Sequence, residues 1–102
     1  MSDTPQDFEK KPWTNVKGKL KMEIPLEFGI TEAGVESKMV SMRRPKVKDQ
    51  LAMDAHAGSA AKKEVFMFAS LCVIGPQSIE DLHMSDYRRL QETYDAFMNP
   101  QE

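Results

Sequence analysis

The side chains that could carry out chemistry in this chain are few and lie far apart in the sequence. His56 and His83 are the only histidines, and neither has a partner at a metal-ligand spacing such as HxxxH or CxxC. Cys72 lies in an apolar run, where a thiol usually acts as a small hydrophobe. Glu80 and Asp81 could form an acid/base pair, but their place in the first turn of a predicted helix already accounts for them. The sequence therefore predicts no catalytic or metal site, no cofactor and no enzymatic activity.

The composition indicates one small domain without disulfides or membrane spans. The chain has 102 residues, a net charge of −2 and one cysteine, which fits a reducing cytoplasm. The apolar run at residues 65–74 is about half as long as a membrane-spanning helix requires. Residues 76–102 carry a net charge of −4. This acidic C-terminal part could meet a basic partner, although an acidic, solvated surface is the simpler interpretation.

Strict alternation predicts that the first regular element is a β-strand. Apolar residues alternate with mostly charged ones over residues 20–28, as is typical of a strand with one buried face. Pro25 has no N–H and indicates an edge strand. A turn at residues 29–34 leads to a second strand, Val35–Arg43, and the two form an antiparallel hairpin that a helix must cover. The candidate core residues of the second strand are Met39, Val40 and Met42.

Start and stop signals divide the rest of the chain into three or four helices. A helix of about ten residues begins near Pro45, and another runs from about Ala60 to a stop at Gly75-Pro76. Ser85 is expected to cap the last helix, with Asp86 in its first turn. Apolar side chains mark one face of the first of these helices (Val47, Leu51, Ala55) and of the last one (Tyr87, Leu90, Tyr94, Phe97).

The helix that contains residues 65–74 is apolar nearly all round. Nine of these ten residues are apolar, whereas a surface helix normally shows one apolar stripe. A chain of this length has few elements with which to cover such a helix. Either those elements cover it very efficiently, or another copy or a partner must do so. The predicted partner or oligomer interface consists of Val65, Phe66, Phe68, Leu71, Cys72, Tyr87, Leu90 and Tyr94.

Lysines near the start of the first strand raise the question of nucleic-acid binding. Lys17, Lys19 and Lys21 share one face, which could hold phosphate groups. Two glutamates on the same face weaken that attraction, and lysines on exposed strands commonly keep a sheet edge soluble. Nucleic acid is therefore not the expected partner.

Several short motifs occur in a fixed order along residues 17–98. They are the Ile24-Pro25-Leu26 step in the first strand, the Met42-Arg43-Arg44-Pro45 entry into a helix, the Cys72-Val73-Ile74-Gly75 end of the apolar helix, and the Asp86-Tyr87 pair before the last helix. This order resembles that of the small tail assembly chaperones of contractile-tailed phages and prophages.

The resemblance implies a non-enzymatic role in phage assembly. Such chaperones bind the long, apolar, helical tape measure protein in the host bacterial cytoplasm and keep it soluble until the tail tube polymerises. They are absent from the mature virion. In many phages a longer version arises by ribosomal frameshifting, so a frameshifted longer form of this chain is a candidate partner. A homo-oligomer that shields the apolar surface until the client arrives is also expected.

The sequence as a whole predicts an α+β fold, with an N-terminal antiparallel β-hairpin followed by a bundle of three to four α-helices. Residues 1–15 are expected to form a flexible arm with Trp13 as its anchor, residues 16–98 a single domain, and residues 99–102 a tail. Two other functions stay open. One is a structural component retained in the tail, and the other is a small nucleic-acid-binding regulator that uses the face formed by Lys17, Lys19 and Lys21.

Overall fold

The computed structural model of the chain describes residues 11–99. The expectations for residues 1–10 and 100–102, within the predicted arm and tail, lie outside the described residues. An antiparallel hairpin of β1 (Lys21–Glu32) and β2 (Val35–Arg43) comes first. Helices follow the hairpin, so the α+β prediction is confirmed. The helices are α1 (Val47–Ala55), α2 (Ala60–Cys72), α3 (Pro76–Glu80) and α4 (Met84–Met98).

The core lies between the inner face of the hairpin and the helices, with α2 at its centre. Met67, Phe68 and Leu71 of α2 are almost completely buried. Helices α1 and α3 and strand β2 pack against α2, and α4 packs against β1. The remaining elements thus cover most of the apolar helix efficiently. The hairpin contributes a row of inward side chains, which comprises Met22, Ile24, Leu26, Ile30, Val40 and Met42.

A wide bulge interrupts the pairing of the two strands. Pro25 pairs with Met39 and Ile30 pairs with Ser37, so four residues of β1 lie opposite a single residue of β2. Gly29 has a φ of +99° in this bulge, and a Cβ there would lie 2.9 Å from the carbonyl oxygen of Ser37. Only glycine fits such a position without strain. Met39, predicted as a core residue, is exposed instead.

Several element boundaries differ from the sequence-based expectations. Helix α3 begins at Pro76, so Glu80 and Asp81 lie at its C-terminal end and not in its first turn. The bulge lets β1 continue to Glu32, so the predicted turn at residues 29–34 shrinks to Ala33 and Gly34. Helix α4 begins one residue before Ser85, with His83 as its N-cap. The expected cap is therefore wrong.

Helix α1 is held to the hairpin by charge rather than by its apolar stripe. The buried carboxylate of Asp49 accepts two hydrogen bonds from the guanidinium of Arg43, at 2.7 and 2.8 Å, and one from the Lys46 N–H at 2.8 Å. The hydrogen bonds from Arg43 hold the pKa of Asp49 below its usual value, although burial opposes this. We call the paired hydrogen bonds between Arg43 and Asp49 the fork. Because the fork fixes the orientation of α1, Val47 and Leu51 face solvent. They had been expected to face the core.

Trp13 lies in a short 3-10 turn, Pro12–Thr14, and is buried against α4 and β1. Its indole N–H donates to Glu92 at 2.9 Å, and the guanidinium of Arg89 lies 4.4 Å from its ring centroid. The Thr93 hydroxyl donates to its carbonyl oxygen at 3.0 Å. Trp13 thus packs on the hairpin, as the sequence predicts, and also on α4.

Candidate functional site

The structure divides the eight predicted interface residues into two groups. Phe68, Leu71, Cys72 and Leu90 are buried within the chain's own core, and burial raises the pKa of the Cys72 thiol to about 12. The other four are half-buried and reach the surface. Contact with a partner stays a prediction for all eight, but only this second group is accessible in the folded chain. It consists of Val65, Phe66, Tyr87 and Tyr94.

Helix α4 carries a stripe of side chains next to its buried face. The rest of the chain covers this stripe only in part. Its members follow one another at spacings of three and four residues, the repeat typical of a helix-packing seam. From first to last the stripe is about 21 Å long, at 1.5 Å per residue. The stripe consists of Met84, Tyr87, Gln91, Tyr94 and Met98, whereas the face turned inward carries Asp86, Leu90, Thr93 and Phe97.

A cavity of about 330 Å³ opens at the first end of this stripe. Val65 of α2, Leu82 and Met84 give it an apolar lining, and Tyr87 forms part of its wall. Glu80 also lines this cavity. This end of the stripe is therefore apolar, with the ion pair of Glu80 and Lys62 at its rim.

A second cavity, of about 320 Å³, opens at the other end of the stripe. Tyr94 and Met98 of α4 line it together with the buried Met67 of α2. Lys46 and Val47, at the start of α1, complete this part of the lining. This end is apolar with a basic rim.

Polar and aromatic contacts join α4 to α2 between the two cavities. The Tyr87 hydroxyl donates to Glu64 at 2.5 Å, and the Gln91 amide donates to the same carboxylate oxygen at 3.0 Å. Burial, together with the Glu64 carboxylate, raises the pKa of Tyr87 well above its usual value. The rings of Tyr87 and Tyr94 lie 5.5 and 5.6 Å from the ring of Phe68. We call the stripe with its two cavities the α4 groove.

One comparison with known proteins assigns the family. A family model described as phage tail assembly chaperone proteins, E, or 41 or 14, matches residues 23–99. The chain belongs to the phage tail assembly chaperone family. No curated protein and no solved structure matches it. The matched segment contains every α4 groove residue, and the resemblance inferred from the motifs is confirmed.

The histidines of this chaperone have structural contacts. His56 stacks on Phe66 with ring centroids 4.2 Å apart, and His83, the N-cap of α4, lies 4.5 Å from the ring of Phe28. Within residues 11–99, no three His, Cys, Asp or Glu side chains are grouped so that they could hold a metal ion. Over the same residues no helix combines the length and apolar character needed to cross a membrane. The family model describes tail assembly chaperones.

Sequence reasoning found part of the α4 groove and missed its ends. The prediction included Val65, Tyr87 and Tyr94, but it merged both tyrosines with the core residues of the same helix. Met84 and Met98 were missed, although they extend the tyrosines at the same spacing. Reading α4 as two adjacent stripes would have found them. The arrangement of this chaperone is suited to holding an apolar helix along α4.

Proposed function

We propose that this chaperone binds the apolar, helical tape measure protein and keeps it soluble until the tail tube polymerises. It acts in the host bacterial cytoplasm and is absent from the mature virion. The α4 groove is the observation that carries this proposal, because it offers an elongated, partly open apolar surface on a folded chain. An amphipathic helix laid into such a groove is a common mode of peptide recognition.

The dimensions of the α4 groove suit a helical client. A stripe about 21 Å long matches about four turns of a bound helix. Each 100 Å² of apolar surface that the client covers contributes about 2.5 kcal/mol before the entropic cost of association. Binding of this kind needs no catalysis and is reversed when the tail tube subunits compete for the client.

The residues at the ends of the α4 groove suit a client of irregular sequence. Met84 and Met98 are flexible, polarisable side chains that adapt to varied apolar partners. Tyr87 and Tyr94 are fixed by Phe68 and supply rigid contact area between them. The combination of rigid centre and adaptable ends favours binding of several different apolar segments along a long client.

Association with other copies follows from the same surface. An exposed apolar groove promotes contacts between molecules when no client is bound. We therefore propose that the chaperone forms a homo-oligomer, and that a frameshifted longer form, where one is made, joins it.

Co-expression with the tape measure protein tests the client proposal. We expect Met84→Asp combined with Met98→Asp to reduce the soluble fraction of the client severalfold, because both charges enter the apolar α4 groove. Met39→Asp is the matched control, since Met39 lies on the hairpin and is 47% exposed, compared with 63% for Met84 and 49% for Met98. Full client solubility with the folded double variant would contradict the proposal.

Quantitative mass spectrometry of purified virions tests the transient role. We expect this chain to be far below the level of the tail tube protein. Stoichiometric amounts would favour the alternative of a retained structural component.

A further inference from the structure

A second surface, separate from the α4 stripe, combines exposed aliphatic side chains with lysines. Leu20, Val47 and Leu51 are 81%, 78% and 64% exposed. Val47 and Leu51 are four residues apart and therefore share one face of α1. Exposed lysines flank these residues in the sequence. We call this the lysine surface and define it by Leu20, Val47, Leu51, Lys46 and Lys48.

The parts of the lysine surface are held together at the base of the hairpin. Leu20 and Lys46 line one cavity of about 300 Å³, together with Pro45. The guanidinium of Arg44 donates to the carbonyl oxygens of Lys19 and Val16, both at 2.7 Å. The segment that carries Leu20 is thereby fixed next to the start of α1.

The positive charge of this surface is not neutralised within the described chain. Among residues 11–99, neither Lys46 nor Lys48 forms a salt bridge, and the Asp49 carboxylate near Lys48 is bound by Arg43. Glu23 and Asp54 accept hydrogen bonds from Ser41 and Gln50, and neither forms a salt bridge with a described lysine. A ligand that carries carboxylates or other anionic groups would therefore complement this surface.

We propose that the lysine surface docks an acidic amphipathic helix of a partner protein. The partner's apolar side chains would cover Leu20, Val47 and Leu51, and its flanking carboxylates would meet the lysines. The aliphatic side chains favour a protein over a nucleic acid, because they gain little against phosphate groups. None of the surface's side chains is aromatic, so it offers no stacking platform for bases.

This docking site adjoins the α4 groove. Lys46 and Val47 lie between the two surfaces and line the basic end of the groove. The acidic helix would therefore contact two residues that also line this end of the groove.

Fluorescence anisotropy with model ligands tests the proposal on the full chain. The probe is a labelled synthetic helix of about four turns with leucines along one face and glutamates elsewhere. The comparison ligands are the same helix with lysines in place of the glutamates, and an oligothymidine. We expect only the glutamate helix to bind, with an affinity that falls as salt is raised.

Charge reversals locate the binding site. We expect Lys46→Glu combined with Lys48→Glu to weaken binding of the glutamate helix about tenfold, as the loss of several charge pairs implies. Lys62→Glu combined with Lys63→Glu is the control, because it makes the same change in net charge on α2. Lys46→Ala combined with Lys48→Ala should give a smaller loss, and circular dichroism verifies that each variant is folded.

Three results would overturn the proposal. One is binding of the oligothymidine or the lysine helix at least as tightly as the glutamate helix. Another is an equal loss of affinity in the control variant on α2. The third is that the Lys46 and Lys48 reversals change only self-association, measured by sedimentation velocity, in which case a second copy is the occupant.

Discussion

Asp86 accepts a hydrogen bond from the backbone N–H of Gly29 at 3.1 Å. The same buried carboxylate also binds the N–H groups of Glu27 at 2.7 Å and Phe28 at 2.9 Å. These N–H groups lie in the bulge of β1, where β2 offers no matching carbonyl groups. Arg89 adds a hydrogen bond to the carbonyl oxygen of Pro25 at 2.7 Å. The first turns of α4 are thus fixed to the hairpin, which sets the direction in which the α4 groove opens.

Asp86→Ala should destabilise the chain strongly, because it leaves three backbone N–H groups without their acceptor. We expect the free energy of unfolding to fall by about 3 kcal/mol, as for loss of a buried, charge-assisted network. Urea denaturation followed by circular dichroism measures this. Asp86→Asn keeps one carbonyl acceptor and should lose less. A loss in Asp86→Ala no larger than that of an average surface substitution would show that the bulge does not depend on this carboxylate.

The fork between Asp49 and Arg43 predicts a loss of stability in acid. The pKa of Asp49 is lowered in the folded chain, so its contribution is present above the unfolded pKa of about 3.9 and is lost as the pH falls through the folded pKa. We expect Asp49→Asn to be less stable than the wild type at neutral pH but to lose less stability below about pH 4. Unfolding curves across this range check the difference. Parallel pH profiles for the two proteins would contradict this assignment.

Substitutions of Phe68 and Met84 should differ in their effect on the free energy of unfolding, because one residue lies in the core and the other in the groove. It is fully buried and contacts both groove tyrosines, so Phe68→Ala should lower the free energy of unfolding by about 3 to 5 kcal/mol. Met84→Asp should change stability little, because Met84 is exposed. Thermal unfolding of both variants measures the contrast. Comparable losses would place Met84 in the core rather than at the surface.

The hairpin and the order of the helices could be predicted because they depend on local patterns. Alternation in β1 and the good helix-forming residues of α2 act within a few residues of the chain. The bulge could not be predicted, since its N–H groups are satisfied by Asp86, which lies at least 57 residues away in the sequence. The sequence therefore predicts a turn from residue 29, whereas β1 continues through the bulge to Glu32.

The candidate site was harder to predict because periodicity indicates faces but not their partners. The stripe of Val47 and Leu51 fits a core-facing helix equally well, but contacts that the pattern does not reveal, the fork between Asp49 and Arg43 among them, turn it to solvent. Likewise, Leu90 and Tyr87 are three residues apart on α4, yet one is buried and the other borders the groove. Which of two neighbouring stripes is covered depends on the packing of distant elements.

Methionine oxidation can report directly on occupancy of the α4 groove. Met84, Met98 and the hairpin residue Met39 are exposed, so mild peroxide should convert all three to the sulfoxide in the free chain. We expect the client to slow oxidation of Met84 and Met98 severalfold while Met39 reacts at an unchanged rate. Peptide mass spectrometry over a time course gives the three rates in one sample. Equal slowing at all three sites would indicate general shielding by an aggregate, and unchanged rates at Met84 and Met98 would place the client elsewhere.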